Sequence, residues 1–199
     1  MDVAAELADL RARVGLLEDR AAVAACIAAH ARGCDRHDLD LIASAYWPDG
    51  VDEHGRAVNS GTEYGPWANA VHGATSAAHL HHVTTQTCEI AGDEAHAESY
   101  VVVILLAPNE RSAQVITGRY LDRLERRDGE WRIAVRRSTV ETMFAADAAG
   151  LGSSFFTEQA YLRGVRDADD VSYVRPLTLA ADGPRWAGRP TAPPAPDPS

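Results

Sequence analysis

The sequence predicts an α+β fold in which helices cover one face of an antiparallel β-sheet. Residues 3–75 carry mainly helical patterns, whereas residues 79–144 form strand patterns separated by Gly, Asp and Asn turns. Strands that follow a run of helices are typical of α+β domains. At 199 residues with 46% hydrophobic side chains, the chain is long enough for one core, and we expect a single domain.

The helices are expected first. Residues 3–32 are rich in Ala, Leu, Glu and Arg and form one long helix or two in sequence, with Gly33 as the C-cap. Apolar side chains recur there at helical spacing, at Leu7, Leu10, Val14, Leu17, Val23 and Ile27. Asp38 is a candidate N-cap for a second helix that reaches Tyr46 and ends at the following "PDG". The stretch "VDEHG" predicts a short strand, and "GPWANAVHGA" predicts a third helix.

Four long strands are expected after the helices. They are "HLHHVTTQTCEI", "AHAESYVVVILLAP", "AQVITGRYLDRLERR" and "WRIAVRRSTVETMF", joined by short turns as an antiparallel meander. The main domain should therefore cover residues 1–148. Residues 149–182, with a short helix in "SSFFTEQAYLRGVRD", are a candidate lid or oligomerisation segment, and the proline-rich residues 183–199 predict a disordered tail.

Charge and composition exclude several classes of function. The net charge of −10 argues against nucleic-acid and anionic-membrane partners, because both are polyanions. The basic residues are all arginine, so Schiff-base catalysis by a lysine side chain is excluded. Three scattered cysteines form neither a CxxC pair nor a disulfide framework, which favours a reducing cytoplasm. No signal peptide and no stretch of about 18 apolar residues is visible, so we expect no membrane association.

Three histidines within four positions are the most unusual feature of the first long strand. Alternation along a strand places His79 and His81 on one face and His82 on the other. A metal site, a general base and surface polarity are each compatible with this pattern. An H-x-H pair can chelate zinc or iron, but no third ligand follows at a familiar spacing, and His96 is the one obvious nearby candidate. Nucleotide-binding and serine-hydrolase motifs are absent from the sequence, and we expect neither cofactor nor metal.

The arrangement as a whole resembles the SnoaL-like group of the nuclear transport factor 2-like superfamily, over about residues 15–145. The resemblance rests on "EDRAAVAACIAAHARGCDRHDLDLIASAYWPDG", "HLHHVTTQTCEIAGDEAHAESYV" and "LERRDGEWRIAVRRSTVE" in this order and spacing. It implies a cone-shaped α+β barrel with a curved antiparallel sheet packed on N-terminal helices. The superfamily hosts dehydratases, dehydrochlorinases, isomerases, epoxide hydrolases, polyketide cyclases and noncatalytic subunits, so the fold alone does not define a reaction.

The resemblance also implies a catalytic pair. Members that perform eliminations use an aspartate after the first long helix, which Asp35 matches, and a histidine on the strand after the helices, which His81 matches. The family pattern resembles H-H-V-T-N, and Thr85 replaces its asparagine here. A one-residue shift of the strand would exchange His81 and His82. A histidine oriented by a carboxylate is a general base near neutral pH; the alternative is a capping Asp35 and a structural His81.

Further pocket residues are candidates for substrate binding. His30 lies near the end of the first helix, and His54 lies about where related dehydratases carry a pocket tyrosine. His79 shares the face of His81, and Tyr46, with Trp47, forms either an aromatic wall or part of the core. Arg137 shares a strand face with Trp131 and Ile133 and should point inward, where it would need a carboxylate or a substrate oxyanion, although a position at the rim stays open.

Together these residues predict a cofactor-independent lyase that eliminates water or another small group from an alicyclic or aromatic metabolite. Carbon–carbon cleavage, such as loss of formaldehyde, uses the same proton transfer. The alternatives are an isomerase or polyketide cyclase, and a noncatalytic ligand-binding module or small subunit of a ring-hydroxylating dioxygenase. Because "AESYVVVILLAP" is apolar on both faces, we also expect a homo-oligomer, with a trimer favoured and a dimer possible.

Overall fold

The computed structural model describes residues 2–186, which form N-terminal helices packed against one sheet. The helices are α1 (Val3–Arg36), α2 (Leu39–Ser44), α3 (Tyr64–Thr75) and the short α4 (Ser154–Glu158). The strands are β1 (Tyr46–His54), β2 (Ala57–Ser60), β3 (Ala78–Ala91), β4 (Glu94–Leu106), β5 (Ser112–Arg127) and β6 (Glu130–Asp147). Short 3₁₀ turns cover Ala149–Gly152 and Val171–Tyr173. The predicted α+β class is confirmed.

The sheet has six strands in the order β2-β1-β6-β5-β4-β3 and is not closed. Strands β3 to β6 form the predicted antiparallel meander, but β1 runs parallel to β6, so the sheet is mixed rather than purely antiparallel. Strand β1 is longer than predicted because "WPDG" belongs to it rather than ending a helix. The added strand β2, which the sequence analysis did not predict, pairs with β1 through a tight turn at Gly55.

The end of α1 differs from the prediction in a way that matters for the site. Gly33 is not a C-cap; α1 continues to Arg36 and is capped by His37 in the left-handed conformation. Gly33 is instead required by close packing, because a Cβ atom there would lie 2.7 Å from the Ile42 side chain and 2.8 Å from its backbone nitrogen. The extra turn carries Asp35 toward β3.

The core lies between the helices and the concave side of the sheet. Its fully buried side chains include Val23 and Ile27 of α1, Ile42 of α2, and Leu124 and Ile133 of the sheet. The side chain of Asp38 caps α2 as predicted, accepting a hydrogen bond from Leu41 N–H at 2.9 Å. The first half of α1, by contrast, is exposed along residues 3–14.

The segment after β6 packs back on the end of α1. Asp170 lies 3.4 Å from Arg36, and the Tyr173 hydroxyl donates to Asp38 at 2.8 Å. The helix predicted in this segment is limited to α4. The predicted disordered tail covers residues 183–199, of which the structure describes only residues 183–186. Within this part, the backbone N–H of Trp186 donates to the Tyr161 carbonyl at 3.0 Å. Within residues 2–186, no helix is both long and apolar enough to span a membrane.

Candidate active site

A histidine–aspartate pair joins the last turn of α1 to the start of β3. His81 Nδ1 lies 2.7 Å from Asp35 Oδ1, and the backbone N–H of His81 donates to both carboxylate oxygens at 3.1 Å. Because an ionised carboxylate only accepts, Nδ1 carries the proton in the neutral ring and Nε2 keeps its lone pair. The His81 side chain is 5% exposed. The pair therefore presents an oriented basic nitrogen.

Neutral histidines surround this pair. His79 is buried and its Nε2 donates to the Cys34 carbonyl at 2.7 Å; its ring centre lies 4.1 Å from that of His72 and 5.6 Å from that of His81. Burial lowers the pKa of His79 to about 4 and that of His72 to about 3. Burial also lowers the pKa of His37, which stacks near His79. Near pH 7 these rings add no positive charge beside His81.

The same region could hold a divalent cation. Asp35, His79 and His81 each offer one ligand atom, and these atoms lie within 4.8 Å of one another. His79 Nδ1 is buried without a hydrogen-bond partner, whereas Asp35 Oδ1 and His81 Nδ1 already bond to each other. A metal ion that took the last two atoms would replace the hydrogen bond that orients His81.

A second histidine–aspartate pair lies on β1. His54 Nδ1 is hydrogen-bonded to Asp52 Oδ1, and His54 Nε2 lies 3.1 Å from the Ser138 hydroxyl. The other Asp52 oxygen accepts the Tyr46 hydroxyl at 2.5 Å, and Tyr46 in turn lies 3.1 Å from His30 Nδ1. Asp52 and His30 are fully buried, and burial, reinforced by Arg136, holds the pKa of His30 well below its usual value. The Tyr46 hydroxyl thus holds the Asp52 carboxylate in place, and His30 contacts Tyr46 on the side away from Asp52 along this hydrogen-bonded chain.

The histidines of both pairs line one cavity of about 160 Å³. Its polar lining comes from His54, His72, His81, Ser138 and Thr139. Its remaining walls are aromatic or aliphatic: Tyr64, Trp67, Ala68, Val71, Val101, Val103, Leu105, Ile116, Gly118, Tyr120 and Val140. His54 and His81 reach the cavity from β1 and β3, which are separated by three strands in the sheet. The cavity is a mainly apolar chamber with imidazoles from two distant strands.

Arg137 lies outside this cavity, so its predicted orientation is wrong. Strand β5 pairs with Ile133 and then with Val135, which leaves Ala134 as a bulge. A bulge reverses the faces of the residues that follow it, as far as the next bulge, relative to simple alternation. Arg136 therefore points inward and is fully buried, whereas Arg137 points outward.

The two arginines have different partners. Arg136 makes two 2.7 Å hydrogen bonds to Asp122, and its guanidinium carbon lies 4.1 Å from the centre of the Tyr120 ring. Arg137 pairs with Glu53 on the outer face, where its side chain is 66% exposed. Arg136 thus supports a cavity wall through Tyr120, and Arg137 does not contact the cavity.

Several site residues were missed by the sequence analysis. Asp52 had a usable signal, because aspartate and histidine two positions apart on a strand share a face. His72, Tyr64 and Tyr120 had no comparable signal, since each is an isolated aromatic residue on a separate element. Of the predicted residues, the structure brings Asp35, His81 and His54 to the cavity or its edge, places His30, Tyr46 and His79 behind it, and leaves Arg137 outside.

This architecture, helices on a curved six-stranded sheet with an internal chamber, defines the class of nuclear transport factor 2-like proteins. The model of the SnoaL-like domain matches residues 16–137, more than half of the chain. The chain therefore belongs to the SnoaL-like domain family. No curated protein matches the sequence.

Solved structures support the same fold. Hexachlorocyclohexane dehydrochlorinase LinA-type3 from Novosphingobium barchaimii is 20% identical, with a TM-score of 0.63, over 67% of this chain and 94% of its own. A provisionally named scytalone dehydratase from Novosphingobium aromaticivorans is 19% identical, with a TM-score of 0.59, over 67% and 90%. A single-residue variant of Rv3472, a Mycobacterium tuberculosis protein of unknown function, is 26% identical, with a TM-score of 0.57, over 64% and 74%.

Proposed function

We propose that this protein is a cofactor-independent lyase in which His81 is the general base. The observation that carries the proposal is the 2.7 Å bond between Asp35 and His81 Nδ1 at the edge of a mainly apolar cavity. His81 Nε2 would remove a proton from the substrate, and Asp35 would stabilise the resulting imidazolium. The likeness to a dehydrochlorinase and to a protein named as a dehydratase supports elimination as the reaction class.

His54 would act as the general acid of the same reaction. Elimination of hydroxide requires a proton for the departing oxygen, and the His54 imidazolium can supply it from Nε2 while Asp52 stabilises the charged ring. The proton taken by His81 and the proton given by His54 balance, so water and an alkene are the products. Ser138, 3.1 Å from His54 Nε2, would hold the ring toward the cavity.

The cavity limits the substrate. Its volume of about 160 Å³ is close to that of cavities of about 150 Å³ that admit benzene. Apolar walls favour a single alicyclic or aromatic ring, and polar groups at His54 and His81 favour oxygen or another small leaving group. Loss of formaldehyde from a ring substituent would use the same proton transfers.

An isomerase is the second candidate, and the presence of two histidine–aspartate pairs on one cavity favours it. One imidazole could remove a proton from carbon while the other returns a proton at a different position. The two reactions differ in products, because an isomerase releases no leaving group. Proton NMR of product formed in D₂O separates them: a lyase gives an alkene and a released group, whereas an isomerase gives a deuterated product of unchanged composition.

The decisive test is turnover of a panel of ring-hydroxylated and ring-halogenated compounds by the purified protein, with His81→Ala as the matched control. We expect elimination that depends on His81. A protein that binds these compounds without turning over any of them, or that copurifies with a larger iron–sulfur subunit, would contradict the enzymatic proposal and support the noncatalytic alternative.

We also propose that the chain forms a homo-oligomer through the outer face of its sheet, as a trimer or a dimer. Leu80, Ile104, Val115 and Phe144 pair in one row across β3 to β6, and Phe144 is 55% exposed. Such a row buries apolar surface when copies associate. Ile104→Asp should weaken association in light scattering. A cytoplasmic location remains a proposal that the three free cysteines support.

A further inference from the structure

The first half of α1 carries an apolar stripe that no other described residue covers. Its side chains are spaced alternately four and three positions apart and are between 45% and 65% exposed: Val3, Leu7, Leu10, Val14 and Leu17. The stripe continues along the exposed Ala21 and Ala24. This spacing is the a/d repeat of helices that pack side by side, with Leu7, Val14 and Ala21 at position a and Val3, Leu10, Leu17 and Ala24 at position d.

The stripe faces away from the domain to which α1 belongs. The core-facing residues of α1 are Val23, Ile27 and His30, which are fully buried. At about 100° per residue, Val23 lies about 200° around the helix from Val3, so the two apolar faces are on nearly opposite sides. A straight helix cannot bury both faces on its own sheet. An exposed apolar row of this length indicates a contact with another molecule.

The charged residues beside the stripe indicate that it packs against the same helix of a second copy of this chain. In a parallel pair of identical helices, each g side chain faces the e side chain five positions later on the partner. Here Glu6 would face Arg11 of the partner subunit, and Arg13 would face Glu18 of the partner subunit. Both contacts join opposite charges. Within its own helix Arg13 lies 3.7 Å from Asp9, but both side chains are about 70% exposed and this pair is weak.

The antiparallel arrangement is disfavoured by the same charges. An antiparallel pair aligned along the stripe brings g beside g and e beside e, so Arg13 would face Arg13 of the partner subunit and Arg11 would face Arg11 of the partner subunit. The same alignment places Glu6 beside Arg20 of the partner subunit, so attractive and repulsive contacts offset each other, whereas the charged g–e contacts of the parallel pair are all attractive. Val14 at position a between Leu10 and Leu17 at position d is the pattern that favours two strands over three.

We infer that residues 3–24 of α1 form a parallel, in-register, two-stranded coiled coil with the same residues of a second copy of this chain. The contact is separate from the outer sheet face and from the cavity. It rests on the helix alone and does not depend on the proposed reaction.

Charge reversal provides the first test, by sedimentation of the full chain over a range of concentrations. Arg11→Glu places like charges opposite each other twice in the symmetric pair and should raise the dissociation constant about tenfold. The double variant Glu6→Arg with Arg11→Glu restores opposite charges and should restore association. A monomeric wild-type protein, or an Arg11→Glu variant that associates like wild type, would overturn the inference.

Cross-linking provides the second test and reports orientation. Leu10→Cys brings two thiols together across a parallel pair, whereas Ala12→Cys, at position f, places them on the outside. Mild oxidation should give a covalent dimer of the first variant and not of the second, and the unmodified protein controls for Cys26, Cys34 and Cys88. Equal cross-linking of both variants, or none of Leu10→Cys, would contradict a parallel pair. Unchanged secondary structure by circular dichroism shows that the variants fold.

Discussion

The two histidine–aspartate pairs at the cavity consist of the same two side chains but are built differently. Asp35 and His81 are 46 residues apart and join a helix to a strand, whereas Asp52 and His54 are two residues apart on one strand. The second oxygen of Asp52 accepts a tyrosine hydroxyl, while the carboxylate of Asp35 accepts the backbone N–H of its own histidine. The first pair depends on tertiary packing, and the second depends mainly on strand geometry.

Because of this difference, different structural changes would disrupt the two pairs. Displacing the last turn of α1 from β3 breaks the contact between Asp35 and His81, whereas the hydrogen bond between Asp52 and His54 lies within β1. The pair on β1 keeps its geometry as long as the strand forms, but its carboxylate is fully buried and depends on Tyr46 to satisfy it. Variants of the two pairs should therefore differ in both activity and stability.

The largest expected effect is on turnover when the first pair is removed. His81→Ala and Asp35→Asn should each lower kcat by at least about 100-fold, because positioned acid–base catalysis contributes about 10²- to 10⁴-fold. His82→Ala is the matched control, since its side chain lies on the opposite, exposed face of β3. Full activity in both His81→Ala and Asp35→Asn would remove this pair from the mechanism.

The second effect depends on the leaving group. His54→Gln should slow elimination of hydroxide by about 100-fold, within the range of general acid catalysis, and should slow elimination of chloride much less, because chloride leaves without a proton. His81→Ala should slow both eliminations equally. If the leaving-group dependence appears in His81→Ala instead, the acid and base are exchanged.

A third, smaller effect concerns stability and pH. His72 and His79 have pKa values of about 3 and about 4 in the folded protein, below the ordinary value of 6.5. Below pH 6.5 the unfolded chain binds protons that the folded chain does not, so stability is full above that pH and falls as the pH decreases toward 4. Each histidine contributes a slope of up to about 1.4 kcal/mol per pH unit.

Urea unfolding measured at several pH values, from about 7 down to about 4.5, tests the sign of this pH dependence. The series extends roughly two units below the ordinary histidine pKa. The variant His72→Gln should show a shallower loss of stability toward acid than the wild-type protein. A parallel pH dependence in the two proteins would mean that His72 protonates in the folded state.

The smallest expected effect is that of metal removal. Because the proposed reaction uses two imidazoles and no Lewis acid, EDTA or phenanthroline should leave activity within experimental error. Activity that is lost with a chelator and restored by zinc or iron would assign Asp35, His79 and His81 as ligands instead of a base with its orienting partner.

The sequence allowed much of this arrangement to be predicted, for local reasons. Strand alternation places His79 and His81 inward and His82 outward, and short polar turns define the meander. The bulge at Ala134 was not visible, because it arises from pairing between β5 and β6, and it reversed the expected orientations of Arg136 and Arg137. Asp52 lies in the predicted strand "VDEHG", but its full burial accompanies the parallel pairing of β1 with β6, which the sequence pattern does not show.

The backbone hydrogen bond from His81 to Asp35 has a consequence for the integrity of purified samples. It fixes which residue of β3 lies beside α1, so molecules in which this strand is shifted by one position toward Leu80, with Leu80 in the place of His81, would lack the proposed base, whereas the opposite shift would place His82 there. Molecules that lack the base would not contribute measurable turnover. A preparation that contains them should show a reduced kcat with an unchanged KM, and active-site titration would count fewer competent sites than protein chains.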